Sequence, residues 1–188
     1  MDQVSICNLA LGWLGEKRIT SIDDEATAAR LCKNMWSHTR DRLLAGREWS
    51  FARQRFGPLA ADTTAPTYYF TKKFQIPSTV LRVLRVEDAY AQPIEGWQRE
   101  GAFVVCFDET VYMVAMVQVA DTSLWPAPFA QAVAAQLAAD LAIPLTQNTD
   151  LWAKRVQLAA AEIQNAATLD GMQGRAVRIT QTNLSRVR

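Results

Sequence analysis

Apolar and polar positions along the chain follow three regimes in turn: a helical period, a set of strand-like runs, and a helical period again. Val4, Cys7, Leu11 and Leu14 form one stripe with Ile6, Ala10 and Trp13 beside it, which predicts a helix over 2–14. Gly12 costs about 1 kcal/mol against Ala inside such a helix, so a neighbouring backbone is expected to approach closely there. Gly15 suits the left-handed position just past a helix end. Glu16–Ile22 is a short link, which predicts that the first two helices are antiparallel neighbours.

The longest periodic stretch comes next. Ala28, Leu31, Cys32, Met35, Trp36, Thr39 and Leu43 recur at three- and four-residue steps, predicting a central helix over 23–47. Ser21 with Asp24 three residues on resembles a capping box, and Asp23, Asp24 and Glu25 suit the positive end of a helix dipole. Arg30, Lys33, Arg40, Asp41, Arg47 and Glu48 fall mostly off the stripe. Trp49 and Phe51 stand as aromatic anchors just after Gly46.

Gly57–Thr67 is rich in Pro, Ala and Thr and reads as an irregular connection. The segments 67–70, 78–88, 93–97, 102–107 and 111–119 are then enriched in Val, Thr and aromatic residues, predicting strands of one small antiparallel sheet. Asp108, Glu109 and Thr110 are expected to turn the last two into a hairpin. Pro77 and Pro93 lack ladder donors and mark edges or strand starts. From Pro126 the helical period returns, with Phe129, Val133, Leu137 and Leu141 on one line of an Ala-rich helix over 127–143 that Pro144 ends. Asn148 is a candidate cap for a last helix over 149–170, whose expected core face is Trp152, Val156, Ala159, Ile163 and Ala166. Asp170 and Gly171 close it.

The fold class that follows is α+β, mainly α. Four helices form a bundle from 1–56 and 126–172, a β insertion spans 67–120, and 173–188 is an extended C-terminal arm. A length of 188 residues and 49% hydrophobic composition fit a single domain with a full core. The net charge of +1 argues against a body built to coat nucleic acid, though not against a local basic segment. Cys7, Cys32 and Cys106 have no metal or redox spacing and read as buried, reduced thiols of a protein made in a cytoplasm. The first residues lack the basic start of a secretory signal, and no apolar run reaches membrane-spanning length, so no membrane partner is expected.

Candidate chemistry is sparse. His38 is the one histidine, on a helix, without an evident orienting partner. Asp23, Asp24 and Glu25 could hold a divalent cation, but a helix N-terminus explains them as well. No phosphate-binding, dinucleotide, zinc-protease or nucleophile-elbow motif occurs, so neither enzyme activity nor a cofactor is expected. The six tryptophans are dispersed, which favours core packing and subunit contacts over base or sugar stacking. The segment 173–188 carries Arg175, Arg178, Arg186 and Arg188 without an acid, interleaved with Val177, Ile179, Leu184 and Val187.

Two stretches carry a resemblance. The run from Ala10 to Arg55 has Leu-Gly before a short linker, Ile-Thr-Ser-Ile-Asp-Asp, then Ala-Ala-Arg-Leu-Cys, and closes on Trp-Ser-Phe-Ala. The run from Phe129 to Gly174 has Leu-Ala-Ala-Asp-Leu-Ala-Ile-Pro-Leu-Thr and ends near Asp-Gly-Met-Gln-Gly. Together they resemble the tail tubular protein A family, the head-to-tail adaptors of short-tailed bacteriophages. The resemblance implies a structural virion protein, assembled in the bacterial host cytoplasm. It implies a ring of identical subunits, generally twelve-fold, beneath the portal, joined to the next tail (nozzle) protein. Phage DNA would pass through its channel without sequence-specific binding. It also implies that the C-terminal arm, with Arg175, Val177, Arg178, Ile179, Leu184, Arg186, Val187 and Arg188, reaches the portal. Three other readings stay open beside it: a helical DNA-binding or packaging factor, a different phage neck component, such as a head-completion or tail-terminator protein, and, last, an uncharacterised enzyme with a helical bundle.

Overall fold

A computed structural model describes residues 1–173. Helix α1 spans Gln3–Leu14, opened by Asp2, whose carboxylate accepts from the Ser5 N–H at 2.7 Å, and closed by Gly15 at φ 76°. Ile6, Cys7, Ala10, Leu11 and Leu14 are its buried face. The link after it folds back on the helix, because the Asn8 side chain accepts from the Ile19 N–H at 2.8 Å and donates to the Ile19 carbonyl at 2.9 Å. Gly12 departs from expectation: it is exposed, and a Cβ there would meet nothing within 4 Å.

Helix α2 spans Thr27–Gly46, four residues later than its expected start. The Ser21–Asp24 pair forms a turn ahead of the helix rather than a box on it. Asp24 Oδ2 accepts from the N–H groups of Thr20 and Ser21 at 2.9 and 3.0 Å, while Ala26 at the helix cap has no side-chain bond to give. Asp23 is drawn to Lys33 at 2.7 Å. The buried face is Ala29, Cys32, Trp36, Thr39, Arg40, Leu43 and Leu44, so Arg40 is inside the stripe and Ala28, Leu31 and Met35 only flank it.

Helix α3 spans Ala127–Thr146 and α4 spans Thr149–Gly171. Pro144 does not end α3; it sits in the last turn, where only two residues follow it and Thr146 Oγ1 donates to the Ala142 carbonyl at 2.6 Å. Asn148 caps α4 as expected, its side chain accepting from the Leu151 N–H at 2.9 Å. The organising helix is α3, not α2. The helices α1, α2 and α4 all pack broadly on α3, whereas the expected α1–α2 pairing is minor. An Ala-rich helix lets three neighbours approach closely, and it is apolar around most of its circumference because those neighbours cover it. With mean hydropathy 1.3 it is long and apolar enough to cross a membrane by length and composition alone, and 61% of that window is buried within the fold.

The middle of the chain makes two sheets rather than one. Strands β1 (Arg53–Phe56), β3 (Val80–Glu87) and β6 (Tyr112–Val117) form an antiparallel sheet in the order β1-β6-β3. Strands β2 (Lys72–Gln75), β4 (Gln98–Glu100) and β5 (Phe103–Cys106) form another in the order β2-β5-β4. The expected hairpin across Asp108–Thr110 is therefore absent: β5 and β6 are consecutive but belong to different sheets. Residues 67–70 and 93–97 are not strands, and β1 lies in the segment expected for the bundle. Pro93 does sit at an edge, in an isolated bridge to Glu87.

Strand β3 explains a sequence pattern with neither strand nor helix period. Its run Val80-Leu81-Arg82-Val83-Leu84-Arg85-Val86 repeats every three residues, and register shifts occur between Val80 and Arg82 and between Val83 and Arg85. Each extra residue restores the alternation, so every Val faces the core between the two sheets while Leu81 and Leu84 pack on the helical core. Strand β6 serves both cores as well: Met113, Ala115 and Val117 face the sheet side and Met116 the helices.

An aromatic ladder closes the helical core. Trp36 stacks on Trp125 with centroids 5.7 Å apart, Trp125 meets Phe129 at 5.1 Å, and Phe129 meets Trp49 at 4.9 Å and Phe51 at 4.8 Å. The buried indole N–H groups donate to backbone carbonyls, Trp49 to Leu43 and Trp125 to Val119.

Two predictions follow from this packing. Trp36→Ala is expected to cost about 3–5 kcal/mol in denaturant unfolding, as for a buried large aromatic; a loss below about 1 kcal/mol would remove Trp36 from the core. The second concerns the turn before α2. The Ser21 and Thr20 N–H groups hold the Asp24 carboxyl below its ordinary value of 3.8. Its contribution is thus complete above that value and lost as pH falls through the lower folded-state pKa. The amide resonances of Thr20 and Ser21 should hold steady from neutral pH to the ordinary Asp range and shift only below it. A midpoint at or above the ordinary value contradicts this account.

Candidate interaction surfaces

Buried polar groups come first, because a catalytic or ligand site would draw on them. Asp140 on α3 accepts from Thr39 Oγ1 at 2.7 Å, from Arg42 Nη2 at 2.7 and 2.9 Å, and from Gln136 Nε2 at 3.0 Å. Asp170, at the end of α4, accepts from the Ser50 N–H at 2.8 Å and from Ser50 Oγ at 2.6 Å. Arg40 pairs with Asp41, which also accepts from Gln118 Nε2. Each carboxylate is occupied in joining one element to another.

The sequence candidates for chemistry are scattered in space. His38 is exposed on the outer side of α2. Among the described residues no group of three or more His, Cys, Asp or Glu side chains converges to hold a metal ion. Cys7 and Cys32 are buried next to each other, joining α1 to α2; the Cys32 thiol beside it, and then burial, push the Cys7 thiol above its ordinary range. Burial likewise raises the Cys106 thiol. Such thiols are protonated and weakly nucleophilic at neutral pH. The expected arm residues Arg175, Val177, Arg178, Ile179, Leu184, Arg186, Val187 and Arg188 lie outside the described residues.

What remains for function is surface, and three patches stand out. The first is the outer side of α4. Trp152 and Val156 are 44% and 40% exposed, although the helical period put them on the core face. The period identified the right helix face only where α3 covers it, at Ala159, Ile163 and Ala166. The second patch is at the rim of the β2-β5-β4 sheet, where Tyr68, Tyr69 and Phe107 are exposed in a continuous set of ring contacts of 6.3 and 5.4 Å. Tyr69 has φ 66°, a backbone conformation that bulky residues seldom adopt. Sequence reading took these tyrosines for strand residues; the signal available was two adjacent tyrosines beyond a Pro- and Thr-rich connection. The third is a pair of arginine rows, Arg53 and Arg82 flanking Met116 and Arg55 and Arg85 flanking Val114, on the side of the β1-β6-β3 sheet that Met116 turns to the helices.

No family model matches the chain, and a search of curated proteins finds no match.

The contrast between indoles is testable. Trp152→Ala is expected to cost under about 1 kcal/mol of unfolding free energy, as for a surface change, while weakening any self-association that α4 supports. A loss comparable to that of a core tryptophan would show that Trp152 is held by contacts within the subunit.

Proposed function

We propose that this protein is a structural head-to-tail adaptor of a short-tailed bacteriophage, a ring subunit bound beneath the portal and above the next tail protein. The observation that carries the proposal is how the two resembling stretches meet. Trp-Ser-Phe-Ala at 49–52 is fastened to Asp170 of the Asp-Gly-Met-Gln-Gly end through Ser50, and Asp140 of the Leu-Ala-Ala-Asp-Leu run is fastened to Thr39 and Arg42 of α2. The motif residues thus cooperate in one packed unit, which supports reading them as a single signature rather than as two unrelated helical likenesses.

The role asks for assembly rather than turnover. A closed ring needs heterologous faces, so that different patches of neighbouring copies meet. The exposed Trp152 and Val156 of α4 are suited to one such face. In this reading the arm 173–188 docks on the portal, its arginines pairing with carboxylates and Val177, Ile179, Leu184 and Val187 supplying apolar contacts. The β sheets face the next tail component, and DNA passes through the ring without sequence-specific contact.

Mixing the protein with its cognate portal at micromolar concentration should give a stoichiometric ring complex in particle images. Deleting 175–188 should leave the fold and its thermal transition unchanged and abolish that complex. A portal that stays unliganded by the full-length chain overturns the adaptor reading; a truncated chain that still binds with unchanged affinity overturns the arm's role alone.

A further inference from the structure

Packing on α3 leaves two helical faces open, and both lack charge. Helix α1 has no charged residue from Gln3 to Leu14, although one side of it faces outward. The exposed positions on that side are Ser5 and Gly12, with Leu9 and Trp13 half-buried beside them. A depression of about 380 Å³ lies over them, with Leu9, Gly12, Trp13 and Arg18 in its lining. An aromatic side chain fits such a space, since a cavity of about 150 Å³ holds benzene. Glycine is disfavoured in a helix interior, and nothing within the subunit approaches Gly12 to account for it.

The second face is on α4. Trp152, Ala153, Val156 and Ala160 are exposed within an arc of about 100° on that helix, with no charge among them. It presents one large knob among small side chains. Each face therefore holds what the other lacks: an indole with nothing over it, and a depression with nothing in it. Arg18 adds to the fit. The two hydrogen bonds between Asn8 and Ile19 hold its segment of the link against α1, and among the described residues Arg18 makes no ion pair. A guanidinium stacks favourably on an indole face.

We propose that Trp152 of one copy fills the depression at Gly12 of the next, with the Arg18 guanidinium on its indole and Val156 beside it. The occupant is a second copy because this chain supplies both the knob and the hole. A charged partner surface would lose hydration against either face without gaining a counter-charge. Knob and hole are on different helices, so the contact is heterologous and passes from copy to copy, as a ring requires. The inference rests on the ring of the adaptor reading and names the contact that joins its subunits.

The test separates folding from assembly. Gly12→Met places its side chain in space that is open within the subunit, so the thermal midpoint should hold or rise. Assembly of the ring on the cognate portal should weaken on the order of tenfold or more, as it should for Trp152→Ala. A Gly12→Met chain that assembles with unchanged affinity overturns the contact and leaves the adaptor reading standing. In a second arm, Gly12→Cys and Trp152→Cys chains are mixed on the portal and oxidised; a disulfide-linked pair should form that neither variant gives alone. Absence of that pair from an assembled ring overturns the proposal. If the wild-type chain leaves the portal unliganded, the adaptor reading falls, and the same mixture of free chains at high concentration decides the contact: without a mixed pair it is wrong.

Discussion

Enclosure of α3 is the constraint on which the rest of the structure depends. A helix covered by α1, α2 and α4 must offer small side chains on most of its circumference, and alanine supplies them at the highest helix propensity. Alanine alone fills little volume, so the larger groups arrive at chosen points: Phe129, Leu137 and Leu141 from α3 itself, and Trp36, Trp49 and Trp125 from its neighbours. Trp13 reaches from α1 to the cluster of Ala135, Ala139 and Ala159, filling the space that the small residues leave between α3 and α4. Close approach of the helices also brings the polar clamps into range. Asp140 on a helix with larger side chains would stand too far from Thr39 and Arg42 to accept from both.

The polar clamps and the apolar core divide the work. Burial supplies most of the stabilisation but has no direction, whereas a half-buried carboxylate with several donors fixes a register. Asp170 does this where the chain leaves α2, accepting from the backbone and side chain of Ser50 just ahead of β1.

Strand β6 couples the two cores. Its alternation sends Met116 to the helices and Met113, Ala115 and Val117 to the sheets, so neither core can shift without moving the other. The candidate surfaces sit on different parts of this frame. The apolar face is on α4, which packs mainly on α3. The arginine rows are on the outer strands of the β1-β6-β3 sheet, and the exposed aromatic set is on the other sheet.

Much of the fold is legible in the sequence where local physics decides the outcome. The extents of α1 and α4, the start of α3, the caps at Gly15 and Asn148, and the α+β class all follow from apolar periodicity and from residues whose side chains act on their own helix end. Tertiary contacts decided the rest. Asp24 is bonded to the turn before α2 instead of to the helix, because Thr20 and Ser21 offer it two N–H donors. Trp152 matches the period of a core face yet is exposed, since periodicity defines a face without saying how far a neighbour extends along it. The sheet assignment of β5 and β6 was hidden because adjacent strands with a turn between them look the same whether they pair together or separate. The arginine rows are the clearest case. Their residues are written plainly at 53, 55, 82 and 85, but only the bulges in β3 and the shared partners on β6 make them one surface.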